Sequence, residues 1–324
     1  MKFSVLRAAA LLAFFALTAS AAAQSPARIG LIAPVTAAQS ETRLAALKDG
    51  MRDVGLVEGQ HYLLDVGYAD GHPERIPALM QDLLTRKPEV LLVITVPSVR
   101  AAQQATKTVP ILFVATPDPV GNGLVASLAR PGGNTTGFTG QAEDLVAKQV
   151  ELLREALPRS RRLAVLVSPG NPPHTKMFDQ AHAVAAGFGM SARAFEADTP
   201  AGLDAAFSAI AQHRPDALLI LGYAMFYGER ERILAFALKN RIPVIAPEAE
   251  FVDAGSLIAY GTPFTALFRH AATYVKKILA GAKPADLPVE QPTRFEMVIN
   301  LRTAKALGIT LPQTFLVRAD RVIE

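Results

Sequence analysis

Apolar residues occur along this chain in short continuous runs that alternate with amphipathic stretches. Six runs rich in Val, Ile and Leu carry the pattern: RIGLIAPV, VLLVITV, VPILFVAT, RLAVLVS, DALLILG and IPVIAPE. A strand that is apolar at consecutive positions has both faces buried, as in a parallel sheet covered by helices. After the first run, SETRLAALKDGMRDVG places Leu44, Leu47 and Met51 on one helical stripe. Gly55 suits the cap that ends such a helix. The pattern therefore predicts an α/β fold.

The strand pattern occurs twice, with a separation of about 130 residues. RIGLIAP from Arg28 parallels RLAVLVSP from Arg162, and VLLVI from Val90 parallels ALLIL from Ala217. TVPILFVATPDP parallels RIPVIAPEAEF in the same order. One repeat of this length indicates two similarly wound α/β units, because solenoid repeats span roughly 20–50 residues. The stretch ARPGGNTTGF, with its Gly-Gly-Asn turn, predicts the first crossover between the units.

This duplication predicts two doubly wound parallel-sheet lobes joined by hinge crossovers. The first lobe is expected to contain residues 26–138 together with about 262–300, and the second lobe residues 139–261. The C-terminal segment 301–324 is expected near the hinge, without assignment to either lobe.

The N-terminus predicts export from the cytoplasm. Lys2 and Arg7 flank the start of an apolar run of about a dozen residues that ends at three alanines. This is the layout of a secretory signal peptide, which we place at residues 1–23. A membrane anchor would need about 20 apolar residues, whereas this run gives way to Gln-Ser-Pro. The mature protein is therefore expected in the periplasm.

Charge and cysteine usage exclude several functions. The chain has 33 basic and 29 acidic residues, and removing Lys2 and Arg7 leaves 31 basic residues, a net charge of about +2. So balanced a protein has no electrostatic basis for binding nucleic acid. The absence of cysteine rules out disulfides, thiolate catalysis and cysteine metal sites.

The sequence does not predict an enzyme. The six histidines lack metal-ligand spacing, and we expect His174 and His182, which could share a helix face, to lie at the surface. There is no G-x-S-x-G elbow and no phosphate-binding P-loop. GNGLVA matches only the loosest dinucleotide pattern and follows a proline-rich turn instead of a strand. We therefore expect no catalytic residues, no metal and no cofactor.

Small polar residues follow the predicted strands of the first unit. In open parallel sheets, ligands bind beyond the carboxyl ends of the strands. Ser98 follows one strand and is predicted as a helix N-cap, a position that serves either the helix alone or a bound anion. Thr116, Pro117 and Asp118 end the next strand, where Asp118 could either contact a ligand or shape the turn.

The second unit has candidate residues at the matching places. Asn171 lies in SPGNPPH, where it is either a turn residue or a ligand contact. Tyr223, Phe226 and Tyr227 form an aromatic cluster after a strand, where one or two rings could stack on a ligand. Glu248 follows IPVIAP and could pair with a ligand cation or form a structural salt bridge. Loops from both units would line one cleft.

Several longer stretches resemble a known family. GLVEGQHYLLDVGYADG, DPVGNGLVASLARPGGNTTGFT, EFVDAGSLIAYG and the C-terminal segment from LPVEQPTRFEMVINL onwards are similar to ABC-transporter substrate-binding proteins of the type that includes tryptophan- and tyrosine-binding members. The resemblance covers nearly all of the mature chain. It implies the periplasmic binding protein type I fold, in which two α/β lobes clamp a ligand between them.

The resemblance also implies that ligand contacts come from strand-end loops. Here those loops contain Val35, Thr36, Ser98, Val99, Thr116, Pro117, Asp118, Asn171, Tyr223, Ala224, Phe226 and Glu248. Hydroxyls and helix amides of the first lobe are expected to hold an anionic group, and the second lobe to supply aromatic and acidic contacts.

We therefore expect a periplasmic solute-binding component of an ABC importer that takes a small polar or amino-acid-like ligand. Its partners would be the solute, an inner-membrane permease and its ATPase, and the protein itself would be a monomer. A sensor that reports to a membrane receptor or kinase, and a periplasmic α/β enzyme, remain alternatives. A repressor with these lobes would need a helix-turn-helix where the signal peptide stands.

Overall fold

The computed structural model describes residues 25–140 and 142–324. The predicted signal peptide lies outside the described residues. From residue 25 to residue 140 the elements are β1 (Ala27–Ala33), α1 (Ala37–Asp53), β2 (Tyr62–Tyr68), α2 (Ile76–Thr85), β3 (Val90–Val93), α3 (Val96–Ala105), β4 (Ile111–Thr116) and β5 (Thr135–Thr139). A 3₁₀ turn, Pro73–Arg75, precedes α2.

The remaining described chain begins with a second alternation of helices and strands. Its elements are α4 (Ala142–Ala156), β6 (Arg162–Val167), α5 (Pro173–Gly187), β7 (Ser191–Glu196), α6 (Gly202–His213), β8 (Ala217–Ile220), α7 (Ala224–Gly228), α8 (Arg230–Lys239), β9 (Val244–Ala246), α9 (Ala249–Asp253) and β10 (Ile258–Gly261). The last elements are α10 (Phe264–Leu279), a 3₁₀ turn (Pro284–Asp286), β11 (Glu296–Asn300), α11 (Leu301–Leu307), α12 (Gln313–Leu316) and β12 (Arg321–Ile323).

The strands form two sheets, one in each lobe. In the described chain the first sheet has the order β2-β1-β3-β4-β5, and every neighbouring pair is parallel. The second sheet has the order β12-β11-β10-β9-β8-β6-β7. Strands β3, β4 and β8 are buried at every position, as their continuous apolar runs predict. The predicted α/β class with two doubly wound lobes is confirmed.

The last part of the chain differs from the sequence prediction. The predicted boundary puts residues up to about 300 in the first lobe, but β11 pairs with β10, with Ile258 opposite Ile299. This pair is antiparallel, and β12 then adds to β11 in parallel, so the C-terminal segment lies in the second lobe. A short apolar run does not indicate which sheet it joins, because ladder partners are chosen by tertiary packing.

Helix α10 belongs to the first lobe, as predicted for that part of the chain. Its buried residues pack in one core with β1, β3, β4 and α1. The closest approach is at Gly50 of α1, where an added Cβ would lie 2.0 Å from the Arg269 carbonyl oxygen. Helices α1 and α10 can therefore pack this closely only because residue 50 has no side chain.

The chain passes between the lobes where the two sheets lie nearest each other. One passage leads from β5 into α4, and a second leads from β10 into α10. The Thr262 hydroxyl donates to the Gly140 carbonyl at 2.6 Å, which ties these passages together. A third passage follows Glu290, whose backbone is bridged to Phe138 of β5. In the described ranges, no helix is both long enough and apolar enough to cross a membrane.

Candidate functional site

A cavity lies between the lobes at the carboxyl ends of the strands. The first lobe lines it with the loops after β1, β3 and β4, and the second with the loops after β6, β8 and β9. Its volume is about 120 Å³. Since a buried water takes up roughly 10–15 Å³ of such space, a solute of on the order of ten non-hydrogen atoms fits.

Five of the residues predicted as ligand contacts line this cavity. They are Pro117 from the first lobe and Asn171, Tyr223, Ala224 and Glu248 from the second. Four of them stand in loops that follow strands and Ala224 is the first residue of α7, so the topology brings together positions that are far apart in sequence. Their binding of a solute stays a prediction.

Two predicted residues instead stabilise the backbone beside the cavity. The Thr36 hydroxyl accepts the Gln39 N–H at 3.4 Å, and the Gln39 side chain accepts the Thr36 N–H at 3.2 Å, forming a capping box at the start of α1. The Asp118 carboxylate accepts the Gly121 N–H at 2.8 Å and so shapes the turn after β4. Neither residue is among those that line the cavity.

The prediction of Ser98 as a helix cap is wrong. Helix α3 begins at Val96, and Thr95 is its N-cap, with the Thr95 hydroxyl accepting the Ser98 N–H at 3.3 Å. Ser98 is fully buried, and its hydroxyl lies 2.8 Å from that of Thr95. Pro97 favours this early start, because proline is well suited to the first turn of a helix.

The other predicted residues are part of the protein interior. The Thr116 hydroxyl donates to the Ile94 carbonyl at 2.9 Å, so its hydrogen is already used by the backbone. Val99 and Phe226 are fully buried core residues. Val35 stands after β1 but packs with the core of the second lobe, so it helps to hold the lobes together.

The sequence prediction missed Arg43, the main charged group of the first lobe at the cavity. Arg43 lies on α1 and forms an ion pair with Glu248 of the second lobe. Its Cζ atom is 3.9 Å from the centre of the Tyr227 ring and 4.6 Å from that of Phe264. Arg43 is only 6% exposed and Glu248 only 5%. A buried arginine thus spans the two lobes between aromatic rings.

A sequence signal for Arg43 exists, although it is weak. The buried face of α1 includes Ser40, Arg43, Leu47 and Gly50, which recur at helical spacing. Arg43 thus lies one turn before Leu47, on a face that turns inward. A charge at such a position indicates a buried partner, since an unpaired buried charge is costly.

The charged groups around Arg43 shift one another's pKa values. Burial raises the pKa of Glu248 to about 7, although the charge of Arg43 opposes this. Burial lowers the pKa of Arg43, but the carboxylates of Glu248 and Glu250 outweigh this and leave it raised. Arg43 Nε and Glu250 Oε1 are buried without a hydrogen-bond partner and lie 3.9 Å apart. The guanidinium therefore retains a donor that its neighbours do not use.

The rest of the cavity wall is mainly apolar and aromatic. Tyr223, Tyr227 and Phe264 contribute rings, and Ile94, Leu145 and several prolines contribute aliphatic surface. Burial raises the pKa of the Tyr223 hydroxyl, which is also hydrogen bonded to Ser168. This phenol is therefore neutral at physiological pH.

His174 contradicts the expectation of a surface position. It is 2% exposed, whereas His182 on the same helix is exposed. The His174 ring lies beneath Tyr223, with the ring centres 5.7 Å apart. The face of α5 that carries His174 packs inward, and a sequence of scattered histidines gives no sign of this.

No metal centre is found near the cavity or elsewhere in residues 25–140 and 142–324. No three side chains of His, Cys, Asp or Glu in these ranges lie close enough to hold a metal ion. What the cavity offers is an ion pair and aromatic surface, which suit reversible binding of an organic solute.

Residues 28–323 match the family model described as ABC transporter substrate binding protein. The chain belongs to this family. Its members are substrate-binding proteins and not enzymes, and the two-lobe architecture is that of periplasmic binding protein type I.

Individual proteins are also similar to the chain over most of its length. The tyrosine-binding protein of Clostridioides difficile (strain R20291) is 26% identical over 259 residues, which are 80% of this chain and 74% of that protein. A conserved domain protein from Vibrio cholerae O1 biovar El Tor str. N16961 is 29% identical and has a TM-score of 0.83 over 91% of this chain and 99% of that one. The ABC domain from Streptococcus pneumoniae in complex with L-Trp is 24% identical, with a TM-score of 0.81 over 91% and 100%.

Proposed function

We propose that this substrate-binding protein is the periplasmic component of an ABC importer and that it binds a zwitterionic amino acid with an aromatic side chain. The observation that carries the proposal is the buried pair of opposite charges, Arg43 from one lobe and Glu248 from the other, in a mainly apolar cavity. A zwitterion carries both complementary charges in one small molecule.

Each end of such a ligand has a suitable partner. The ligand carboxylate would accept from the guanidinium of Arg43 and from the backbone at the start of α3, since both Arg43 and Thr95 line the cavity. The ligand ammonium would donate to Glu248. Because both protein groups are buried, each gains more from a charged partner than a group in water does.

The aromatic wall supports an aromatic side chain on the ligand. Tyr223, Tyr227 and Phe264 offer ring faces and edges, which contribute roughly 0.5–1.5 kcal/mol per well-placed aromatic pair. Two similar proteins point the same way, since one is named tyrosine-binding and the other was solved in complex with L-Trp.

Delivery to a permease and its ATPase is supported by the family and by the predicted signal peptide. Closure of the lobes on the solute would create the form that the permease recognises. Uptake of labelled amino acid by cells with and without this protein distinguishes an importer component from a sensor, since loss of a sensor leaves direct uptake intact.

The chain has no tryptophan, which makes the ligand test direct. L-Tryptophan added to the purified mature protein is then the sole indole in the sample. Its emission should shift to the blue and its anisotropy should rise, saturating at one ligand per chain, and L-tyrosine should compete. Failure to bind any common amino acid would refute the proposed ligand.

Substitutions matched to ligand analogues test the charge pair. Arg43→Gln and Glu248→Gln should each weaken L-tryptophan binding at least tenfold. Tryptamine, which lacks the carboxylate, should lose less affinity than L-tryptophan in Arg43→Gln, and indole-3-propionate, which lacks the amine, should lose less than L-tryptophan in Glu248→Gln. Arg28→Gln is the control, because Arg28 pairs with Asp65 within the first lobe and its side chain is 40% exposed.

A further inference from the structure

The imidazole of His174 connects two loops that line the cavity. Its Nδ1 accepts the Ser168 N–H at 2.8 Å, and its Nε2 lies 3.2 Å from the Gly222 carbonyl oxygen. Because Nδ1 accepts, the ring proton is on Nε2, which donates to Gly222. The ring therefore bridges the ends of β6 and β8, which are neighbours in the second sheet.

Both of these loops carry candidate ligand contacts. The Asn171 N–H donates to the Ser168 carbonyl at 3.0 Å, and the His174 N–H donates to the Asn171 carbonyl at 2.9 Å. Gly222 directly precedes Tyr223, which lines the cavity beside Asn171. The His174 ring, together with the hydrogen bond between Tyr223 and Ser168, thus sets the spacing of the two loops.

Aromatic packing fixes the ring on two adjoining sides. Tyr223 meets His174 edge-on, with an interplanar angle of 73°. Phe226 stacks on it at 24°, with the ring centres 6.1 Å apart. The Tyr223 and Phe226 rings in turn meet edge-on at 5.4 Å. A side chain without this planar shape would leave the aromatic cluster under the cavity without its support.

Asp198 holds the other side of the loop that follows β6. The Ser168 hydroxyl donates to the Asp198 carboxylate, which also accepts the Gly170 N–H at 2.8 Å. Residues 168–171 are thus bound on one side through Asp198 and on the other through His174. Removing the imidazole would weaken only the side that faces the β8 loop, where the hydrogen bond between Tyr223 and Ser168 remains.

The charge state of His174 suits a fixed link and not a pH switch. Burial lowers the pKa of His174 to about 4, which outweighs the hydrogen bond to Gly222 and the charge of Asp198. The ring is therefore neutral at physiological pH, with one acceptor nitrogen and one donor nitrogen.

We infer that His174 is a positioning residue: through its two hydrogen bonds it holds the Asn171 and Tyr223 loops in register for the solute, without itself lining the cavity. This inference rests on the proposed function of the cavity. The His174 ring would then affect solute affinity without contacting the solute.

The test compares three substitutions on the same helix. Glutamine can accept the Ser168 N–H and donate to the Gly222 carbonyl, whereas leucine fills space but does neither. His174→Leu should weaken L-tryptophan binding at least tenfold, and His174→Gln should recover most of the loss. His182→Leu, two turns further along α5 and exposed, should stay within twofold of the parent. Circular dichroism checks that each variant is folded.

A second readout is independent of any ligand. Hydrogen exchange of the amides in residues 168–174 and 222–227 should be faster in His174→Leu than in the parent, with His174→Gln near the parent. If the parent binds no amino acid, the proposed ligand fails, whereas this comparison still tests the link between the loops.

Several results would overturn the inference. One is parent-like affinity and exchange in His174→Leu. Another is an equal loss of affinity in folded Leu and Gln variants, since hydrogen bonding would then not be the cause. Should His174→Leu fail to fold, ¹⁵N spectra of the parent decide: a ring protonated on Nδ1, or one that titrates near neutral pH, is incompatible with the proposed role.

Discussion

Threonine hydroxyls near the cleft serve mainly the backbone of the first lobe. Thr95 caps α3, Thr36 caps α1, and Thr116 bonds to a carbonyl of the β3 loop. A helix start leaves backbone N–H groups without partners, and the hydroxyls that could hold a ligand anion accept from these groups instead. Arg43 and Glu248 differ from them, because each is satisfied only by a partner from the other lobe.

Thr36 allows capping to be separated from ligand contact. Thr36→Ala removes the acceptor of the Gln39 N–H and should lower the free energy of unfolding by about 1 kcal/mol. L-Tryptophan affinity should stay within twofold, because Thr36 does not line the cavity. Urea unfolding and ligand titration measure the two effects, with Thr36→Ser as the control that keeps the cap. An affinity loss above tenfold at unchanged stability would make Thr36 a ligand contact.

Among the elements, α1 makes contacts in both lobes. One part of it packs against α10 at Gly50, and its first turns face the second lobe through Gln39 and Arg43. The Gln39 side chain donates to the Gly228 carbonyl at 2.6 Å, which adds a second contact between the lobes. The packing of α1 against α10 therefore fixes the position of Arg43 in the cavity wall.

Two glycine substitutions test this packing. Gly50→Ala would place its Cβ 2.0 Å from a backbone oxygen of α10, so the helices must separate, at a cost of at least about 2 kcal/mol. Gly187→Ala is the control, because nothing lies within 4 Å of the added Cβ and alanine favours a helix by up to about 1 kcal/mol. Chemical denaturation of both variants gives the comparison. Parent-like stability of Gly50→Ala would show that α1 and α10 do not approach so closely.

At the scale of the whole molecule, closure of the lobes brings Glu248 out of water. Its raised pKa means that the folded protein retains a proton on Glu248 that the unfolded chain releases above its ordinary value of 4.5. The resulting stability is fully present below pH 4.5 and is lost as the pH rises to about 7. Ligand binding has the opposite trend, because an ammonium group needs the ionised carboxylate.

The ionisation of Glu248 predicts how ligand affinity depends on pH. With a pKa of about 7 for Glu248, the dissociation constant for L-tryptophan should increase about tenfold from about pH 8 to about pH 6. His174 does not contribute, since its pKa is about 4. Binding should be measured in matched buffers across this pH range, and the dissociation constant of Glu248→Gln should not change with pH. This variant is the control, because the ionisation of the ligand itself is the same for both proteins. Equal slopes for the two proteins would exclude Glu248 as the titrating group.

Much of the fold could be predicted because its signals are local. Apolar runs such as those of β3 and β4 are buried on both faces, and the duplication places matching loops at matching strand ends. The partner of β11 could not be predicted, since its run EMVIN suits either sheet and only the ladder to β10 decides. The contacts of Pro117, Asn171 and Tyr223 with a solute remain predictions, although all three side chains line the cavity.

The sequence by itself determined the strands, the helices and the two similar lobes, because periodicity and capping act over a few residues. It also determined that candidate loops gather at one edge of each sheet, because parallel sheets bring their carboxyl ends to the same edge. Only the tertiary structure decided which side chains there are buried and paired. Arg43 and Glu248 are 205 residues apart, and only the approach of the lobes brings them together. Likewise, His174 acquires its role only where two loops meet.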